Sequence, residues 1–199
     1  YIAMTNSLST SLFSFLIMNS ALMIRCPWCG SDPVYIQYHD KEWGSPVHDD
    51  QIHFEFLLLE TQQAGLSWRT VLGKREAYRN AFADFEPQIV AGFREEDIAN
   101  LLANPKLIRN KRKLEAAVKN ACAFCAIQKK YGSFDSWIWH FVEGHPIINH
   151  WQDISEIPVQ TELSDLVSNE MKKAGFAYVG SITIYSHLQA IGIINDHLI

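Results

Sequence analysis

Apolar positions recur at helical spacing along most of the chain from Asp49 onward, and polar caps and glycine or proline breaks divide them into segments. Asp49 or Asp50 can cap a helix running to about Gln63, and Leu57, Leu58 and Leu59 place its backbone in the core. Ser67 can cap a second helix to about Ala81, with Trp68, Val71, Leu72 and Tyr78 apolar. Pro87 opens a short helix ending near Gly92, and Glu95–Ala103 predicts another with Ile98, Leu101 and Leu102 inward. Asn104 and Pro105 then break the pattern. A long helix follows from about Asn110 to Lys130, stopped by Gly132, and Ser133 caps an aromatic-rich helix over Phe134–Val142. Residues 144–162 read as a proline-containing connection. Ser164 caps a helix to about Lys173, with Gly175 past its end. Ile182–Ile194 is partly β-branched, yet Ile184, Leu188 and Ile191 fit a helical face. The pattern predicts an all-α architecture.

Two stretches depart from this rhythm. Residues 1–22 contain no Lys, Arg, Asp or Glu, and their one apolar run, Leu12–Met18, is too short to span a bilayer. Without a cationic start they are a poor secretory signal, and they are expected to be an extension that is disordered or packs loosely on the body. Residues 24–48 are punctuated by Pro27, Gly30, Pro33, Gly44 and Pro46, which predicts turns and at most one helical turn around Val34–Asp40.

Composition adds bounds. A chain of 199 residues suits one sizeable domain, and 48% hydrophobic with 20% charged residues predicts a globule. A net charge of −5 excludes wrapping a long length of DNA, but not a small basic face. Four cysteines are too few for a disulfide scaffold, so reduced thiols and a cytoplasmic setting are expected.

Four features carry possible chemistry. Glu60 follows the leucine run and precedes Gly65 and Trp68, so it reads either as a helix-face residue held by a cation or as a buried carboxylate in an aromatic pocket. In a pocket it suits a flat cationic ring. Lys106, Arg109, Lys111, Arg112 and Lys113 gather where two helices join. There they oppose the helix dipole, which points to an anion such as a DNA phosphate. Cys26 and His39 lie in the turn-rich segment as possible metal ligands. Cys122 and Cys125, on a small-residue helical face, read as buried core thiols rather than half of a zinc ribbon.

Arg25-Cys-Pro-Trp28, the run Asp32–Gly44 with Tyr35, Tyr38, His39 and Trp43, and Glu60-Thr-Gln-Gln-Ala-Gly-Leu-Ser-Trp68 are long, unusual strings. Ile108–Glu115, Gly175–Gly180 and Asn195-Asp-His197 follow them. Together they resemble the bacterial 3-methyladenine DNA glycosylase I family over about residues 24–199. The resemblance implies a helix-hairpin-helix DNA glycosylase fold in one domain, residues 23–199. Within it, residues 49–175 would be a helical core with a DNA-binding hairpin near 104–113. Residues 23–48 and 176–199 would be joined by a structural zinc clip. It implies Cys26, His39 and His197 as zinc ligands, with a fourth, a cysteine, at a position just beyond Ile199, or with Cys29 in its place. It implies Glu60 as the recognition and catalytic carboxylate, with Tyr38, Trp68, Trp28, Tyr35 and Trp43 around the base. Gly65 and Leu66 would enter the gap in the duplex, and Lys106, Arg109 and Lys111 would bind the DNA backbone. The activity implied is hydrolysis of 3-methyladenine from alkylated double-stranded DNA by a monomer, releasing the free base. The rival class is a non-catalytic, zinc-containing nucleic-acid or lesion-binding module.

Overall fold

The helix Asp50–Gln63, here α2, is the axis of the fold because it is buried on every face from His53 to Gln62. Phe54, Leu57, Leu58 and Leu59 are fully enclosed, and His53, Glu55, Glu60, Thr61 and Gln62 are buried among them. Each enclosed leucine contributes roughly 1.5–3 kcal/mol of transfer free energy, so the helix is anchored by packing. The computed structural model describes residues 25–199; the expected N-terminal extension, residues 1–22, lies outside them.

In chain order, helix α1 spans Pro33–Lys41, α2 follows, and α3 (Trp68–Leu72) and α4 (Arg75–Ala81) come next. Then come α5 (Pro87–Val90), α6 (Glu95–Ala103), α7 (Lys111–Tyr131), α8 (Phe134–Trp139), α9 (Glu162–Lys173) and α10 (Ser181–Ala190). Helices α3, α7, α8 and α10 pack on α2. The all-α expectation holds among the described residues, apart from a two-residue parallel pairing of β1 (Ile147–Ile148) with β2 (Ile194–Asn195).

Short polar side chains set the helix starts. Asp49 accepts from the backbone N–H of Ile52 at 3.0 Å and caps α2. Ser133 caps α8, accepting from the Ser136 N–H at 2.9 Å, and Asp50 supports the same helix start by accepting from the N–H groups of Phe134 at 2.9 Å and Asp135 at 2.8 Å. Asn110 caps α7, and Gly132, at φ 90°, ends it.

Five readings need correction. Residues Pro33–Lys41 form more than two helical turns, because Asp32 caps the segment and Pro33 occupies the first position, where its missing N–H costs nothing. The helix expected from Ser67 to Ala81 divides at Gly73 and Lys74, where the bonding tightens to i→i+3. The helix expected over Phe134–Val142 is α only to Trp139, and its last turn is 3₁₀. Thr161, not Ser164, caps α9; Ser164 returns a bond to the Thr161 N–H at 2.8 Å. The last helix ends at Ala190, and Ile194 pairs as a strand.

The two ends of the described chain are laced together by backbone bonds. Gly44 N–H donates to the Gln189 carbonyl at 2.9 Å and Val47 N–H to that of Ile191 at 3.0 Å. A Cβ on Gly192, at φ 69°, would lie 2.2 Å from the Ser45 carbonyl carbon, so only glycine fits there. This lacing sets the aromatic N-terminal segment against α10, with α2 between them and the core.

Candidate active site

A cavity of about 360 Å³ opens where α1, α2, α3 and α10 meet. That volume suits a small planar ligand. Helix α1 supplies Tyr35 and Tyr38, the turn before it Trp28, and the turn after it Trp43. Trp68 enters as the first residue of α3, held in register by the Ser67 cap. The five aromatic residues expected around a base therefore line one cavity. Trp28 lies edge-on to Tyr35 at 5.0 Å and to Trp43 at 5.1 Å, while Tyr38 and Trp68 stand 5.4 Å apart at 53°. Such a cluster holds itself rigid and leaves flat faces for a ring.

Glu60 reaches this cavity from α2 and is 3% exposed. Among the described residues no cation is paired with it. Burial pushes its carboxyl up to about 8, and its Oε2 has no hydrogen-bond partner. Trp68 Nε1 is likewise buried and unpartnered. A buried acceptor and a buried donor without partners in one cavity are places for a ligand to bond. Of the two sequence readings of Glu60, the pocket reading is the one the geometry supports. The remaining walls come from α10, through Ile182, Tyr185 and Gln189, and from the connection through Ile154, Ile157 and Val159.

Beside the cavity, Cys26, His39 and His197 meet in pairs. The Cys26 N–H donates to His39 Nε2 at 3.2 Å, and the His39 and His197 rings lie 4.6 Å apart. His39 Nδ1 faces Asp40 at 2.9 Å. Arg25 and His39 together hold the Asp40 carboxyl at about 2. His197 is half-buried and packs edge-on to Trp43 at 4.7 Å, unlike the exposed histidine its place near the end of the chain alone would predict. Among the described residues no group of three His, Cys, Asp or Glu side chains is arranged as a metal site.

The basic turn lies between α6 and α7. Lys106, Arg109 and Lys111 are exposed there, and Lys111 is 3.7 Å from Glu115. Lys113 departs from the expected patch by turning inward. Its ammonium donates to the carbonyls of Gln62 at 2.7 Å and Ala64 at 2.6 Å, and Gln62 Nε2 donates back to the Lys113 carbonyl at 3.1 Å. Those carbonyls end α2, where the helix dipole is negative, which compensates a buried ammonium that lacks a carboxylate. The bonds fix the turn carrying Gly65, at φ 79°, and Leu66, which is 41% exposed.

Sequence reasoning missed Lys113, although its i+4 and i+8 spacing to Ala117 and Ala121 on the buried stripe of α7 would have shown it. It also missed Tyr185, Gln189 and Asp196. The core-thiol reading was wrong: Cys122 is exposed and Cys125 partly so, one step round the helix from the buried Ala117, Ala121 and Phe124.

The methyladenine glycosylase family model matches residues 28–199. The chain is 48% identical over 174 residues to the DNA-3-methyladenine glycosylase of Haemophilus influenzae, covering 87% of this chain and 94% of that one. It is 44% identical over 177 residues to DNA-3-methyladenine glycosylase 1 of Escherichia coli, covering 89% and 95%. The solved 3-methyladenine DNA glycosylase I of Staphylococcus aureus, described for its recognition of 3-methyladenine, is 39% identical and superposes with a TM-score of 0.86 over 88% of this chain and 94% of that one. The chain belongs to the methyladenine glycosylase family.

Proposed function

We propose that the chain hydrolyses the N-glycosidic bond of 3-methyladenine in alkylated DNA, releasing the free base and leaving an abasic site. The observation that carries this reading is the unpaired Glu60 carboxyl inside the aromatic cavity. Methylation at N3 leaves the nucleotide's ring positively charged. A cationic ring entering the cavity attracts the ionised form of Glu60, draws its carboxyl down from about 8 and expels its proton. The faces of Tyr38 and Trp68 add cation–π attraction. Neutral adenine offers no such gain, so recognition follows from charge.

The same charge simplifies the chemistry. When the bond from the sugar to the base breaks, its electron pair neutralises the ring and no acid is needed at the leaving group. Water adds to the resulting oxocarbenium ion and loses a proton to solvent. The protein's task is to extract the nucleotide and hold it. Leu66, presented by Gly65, enters the gap left in the stack. The α6–turn–α7 unit acts as the helix-hairpin-helix grip: Lys106 and Arg109 from the turn, and Lys111 at the start of α7, bind phosphates beside the helix N–H groups.

By donor type, one thiol and two imidazoles, Cys26, His39 and His197 suit three positions of a structural zinc, although their side chains are not gathered as a metal site. Cys26 is fully buried, and Asp40 engages His39 Nδ1, which turns Nε2, the nitrogen a metal would take, toward Cys26, whose backbone N–H it accepts at 3.2 Å. Bound zinc would supply no chemistry to the reaction and would tie the two ends of the domain. A monomer suffices, since one chain holds the whole cavity. No helix among the described residues is long and apolar enough to cross a membrane.

Tryptophan fluorescence tests the pocket, because Trp28, Trp43 and Trp68 line it. The fixed-charge ring 3,9-dimethyladeninium, which keeps the cationic state of the lesion, should quench emission at concentrations where adenine does not. Equal quenching by both bases, or by neither, would overturn the assignment.

A further inference from the structure

Asp196 is fully buried one residue before His197, and it accepts four hydrogen bonds. Its Oδ1 takes Asn149 Nδ2 and Trp151 Nε1, each at 2.7 Å. Its Oδ2 takes the Tyr185 hydroxyl at 2.5 Å and Gln189 Nε2 at 2.7 Å. All four are neutral donors, and they saturate the carboxylate's lone pairs. Two of them, Tyr185 and Gln189, are on the α10 wall of the base cavity.

An acceptor-only anion dictates how its partners turn. Gln189 must aim its amide nitrogen at Asp196, which leaves the amide oxygen for the cavity. Tyr185 must donate its proton inward, which leaves only lone pairs on its outer side. Asp196 therefore fixes the α10 wall as a hydrogen-bond-accepting surface, in addition to the acceptor that Glu60 presents from α2.

We propose that Asp196 is a specificity-determining positioning residue. By locking Gln189 and Tyr185 as acceptors, it makes the cavity admit a base edge that carries N–H donors and reject one that carries a lone pair. This rests on the base-excision reading above. Charge alone cannot choose between two cationic lesions. 3-Methyladenine and 7-methylguanine are both cationic nucleosides in DNA, but adenine offers an N–H₂ donor at position 6 where guanine offers an oxygen acceptor.

Methylated duplex DNA carrying both lesions is incubated with the full chain, with Asp196→Asn and with Gln189→Met, and the free bases are quantified. Asp196→Asn keeps the shape but brings its own N–H donors, so Gln189 is free to turn its nitrogen to the cavity. The ratio of 7-methylguanine to 3-methyladenine released should rise by about tenfold or more, since one mismatched hydrogen-bonding group in a site is worth that much. Gln189→Met removes the amide oxygen without touching Asp196, and it should raise the ratio in the same direction. A merely structural role slows both releases together and leaves the ratio unchanged. An unchanged ratio in both variants overturns the proposal, and if Asp196→Asn does not fold, Gln189→Met decides alone. If the unaltered chain releases neither base, the base-excision reading fails and this inference falls with it. If it releases 3-methyladenine but the variants keep its selectivity, only this inference falls.

Discussion

Replacing Glu60 by Gln should stabilise the protein at neutral and alkaline pH while it removes recognition of the lesion. Burial raises the Glu60 carboxyl from 4.5 to about 8, so the folded protein binds this proton more tightly than the unfolded chain does. The stability that comes with the neutral carboxyl is fully present below about pH 4.5 and is lost as pH rises through about 8. At about 1.4 kcal/mol per pH unit, the loss is small at pH 5, about 3 kcal/mol at pH 7 and about 5 kcal/mol above pH 8. Glutamine has nearly the same shape, carries no charge and pays none of this. For a domain of this size each kcal/mol moves Tm by about 2–4 °C, so Glu60→Gln should melt roughly 6–12 °C higher than the parent at pH 7. The gap should close near pH 5 and widen at pH 8.5. Thermal unfolding followed by circular dichroism at the three pH values reads this directly. A variant that melts with the parent, or below it, at pH 8.5 would refute an unpaired buried carboxyl at position 60.

Other consequences are open to measurement. Lys113→Met should strip the bonds from the end of α2 and loosen Leu66. Base release from duplex DNA should then fall by about tenfold or more while quenching by 3,9-dimethyladeninium is kept; an equal loss in both would make Lys113 a general fold residue. Arg109→Ala with Lys111→Ala should weaken DNA binding and lower the slope of its dependence on salt by about two counterions, and an unchanged slope would leave the turn as plain surface. Elemental analysis of the purified protein should find about one zinc per molecule; folded, active protein without metal would remove the clip.

Much of the fold could be read from the chain because its helices announce their ends. Asp49, Asn110 and Gly132 set boundaries that the structure keeps, and the buried run at Leu57–Leu59 located the central helix. The misses share a cause: local signals compete at short range. Gly30, Pro33 and Gly44 made Pro33–Lys41 look like turns, yet the cap at Asp32 and the burial of Tyr38 and His39 won. Gly73 split a helix that apolar spacing alone would continue. The aromatic cavity was legible because Trp28, Tyr35, Tyr38, Trp43, Glu60 and Trp68 lie in strings of unusual composition. Lys113 and Asp196 were not, because each is defined by what it bonds to across the fold: backbone carbonyls 49 and 51 residues away for Lys113, and side chains of β1's flank and α10 for Asp196. A lysine in a basic run reads as surface until its partners are placed.

The central claim is that Glu60 in its aromatic cavity recognises a cationic base so that the chain can cut it from DNA. The most direct measurement is chromatography of the free bases released from methylated duplex DNA by the parent chain and by Glu60→Gln. The account predicts 3-methyladenine from the parent, with release slowed by about a hundredfold or more in the variant, as expected when a buried charge partner is lost. Equal release by both proteins would contradict the role of Glu60. No release by the parent would contradict the activity itself and leave a protein that binds lesions without cutting them.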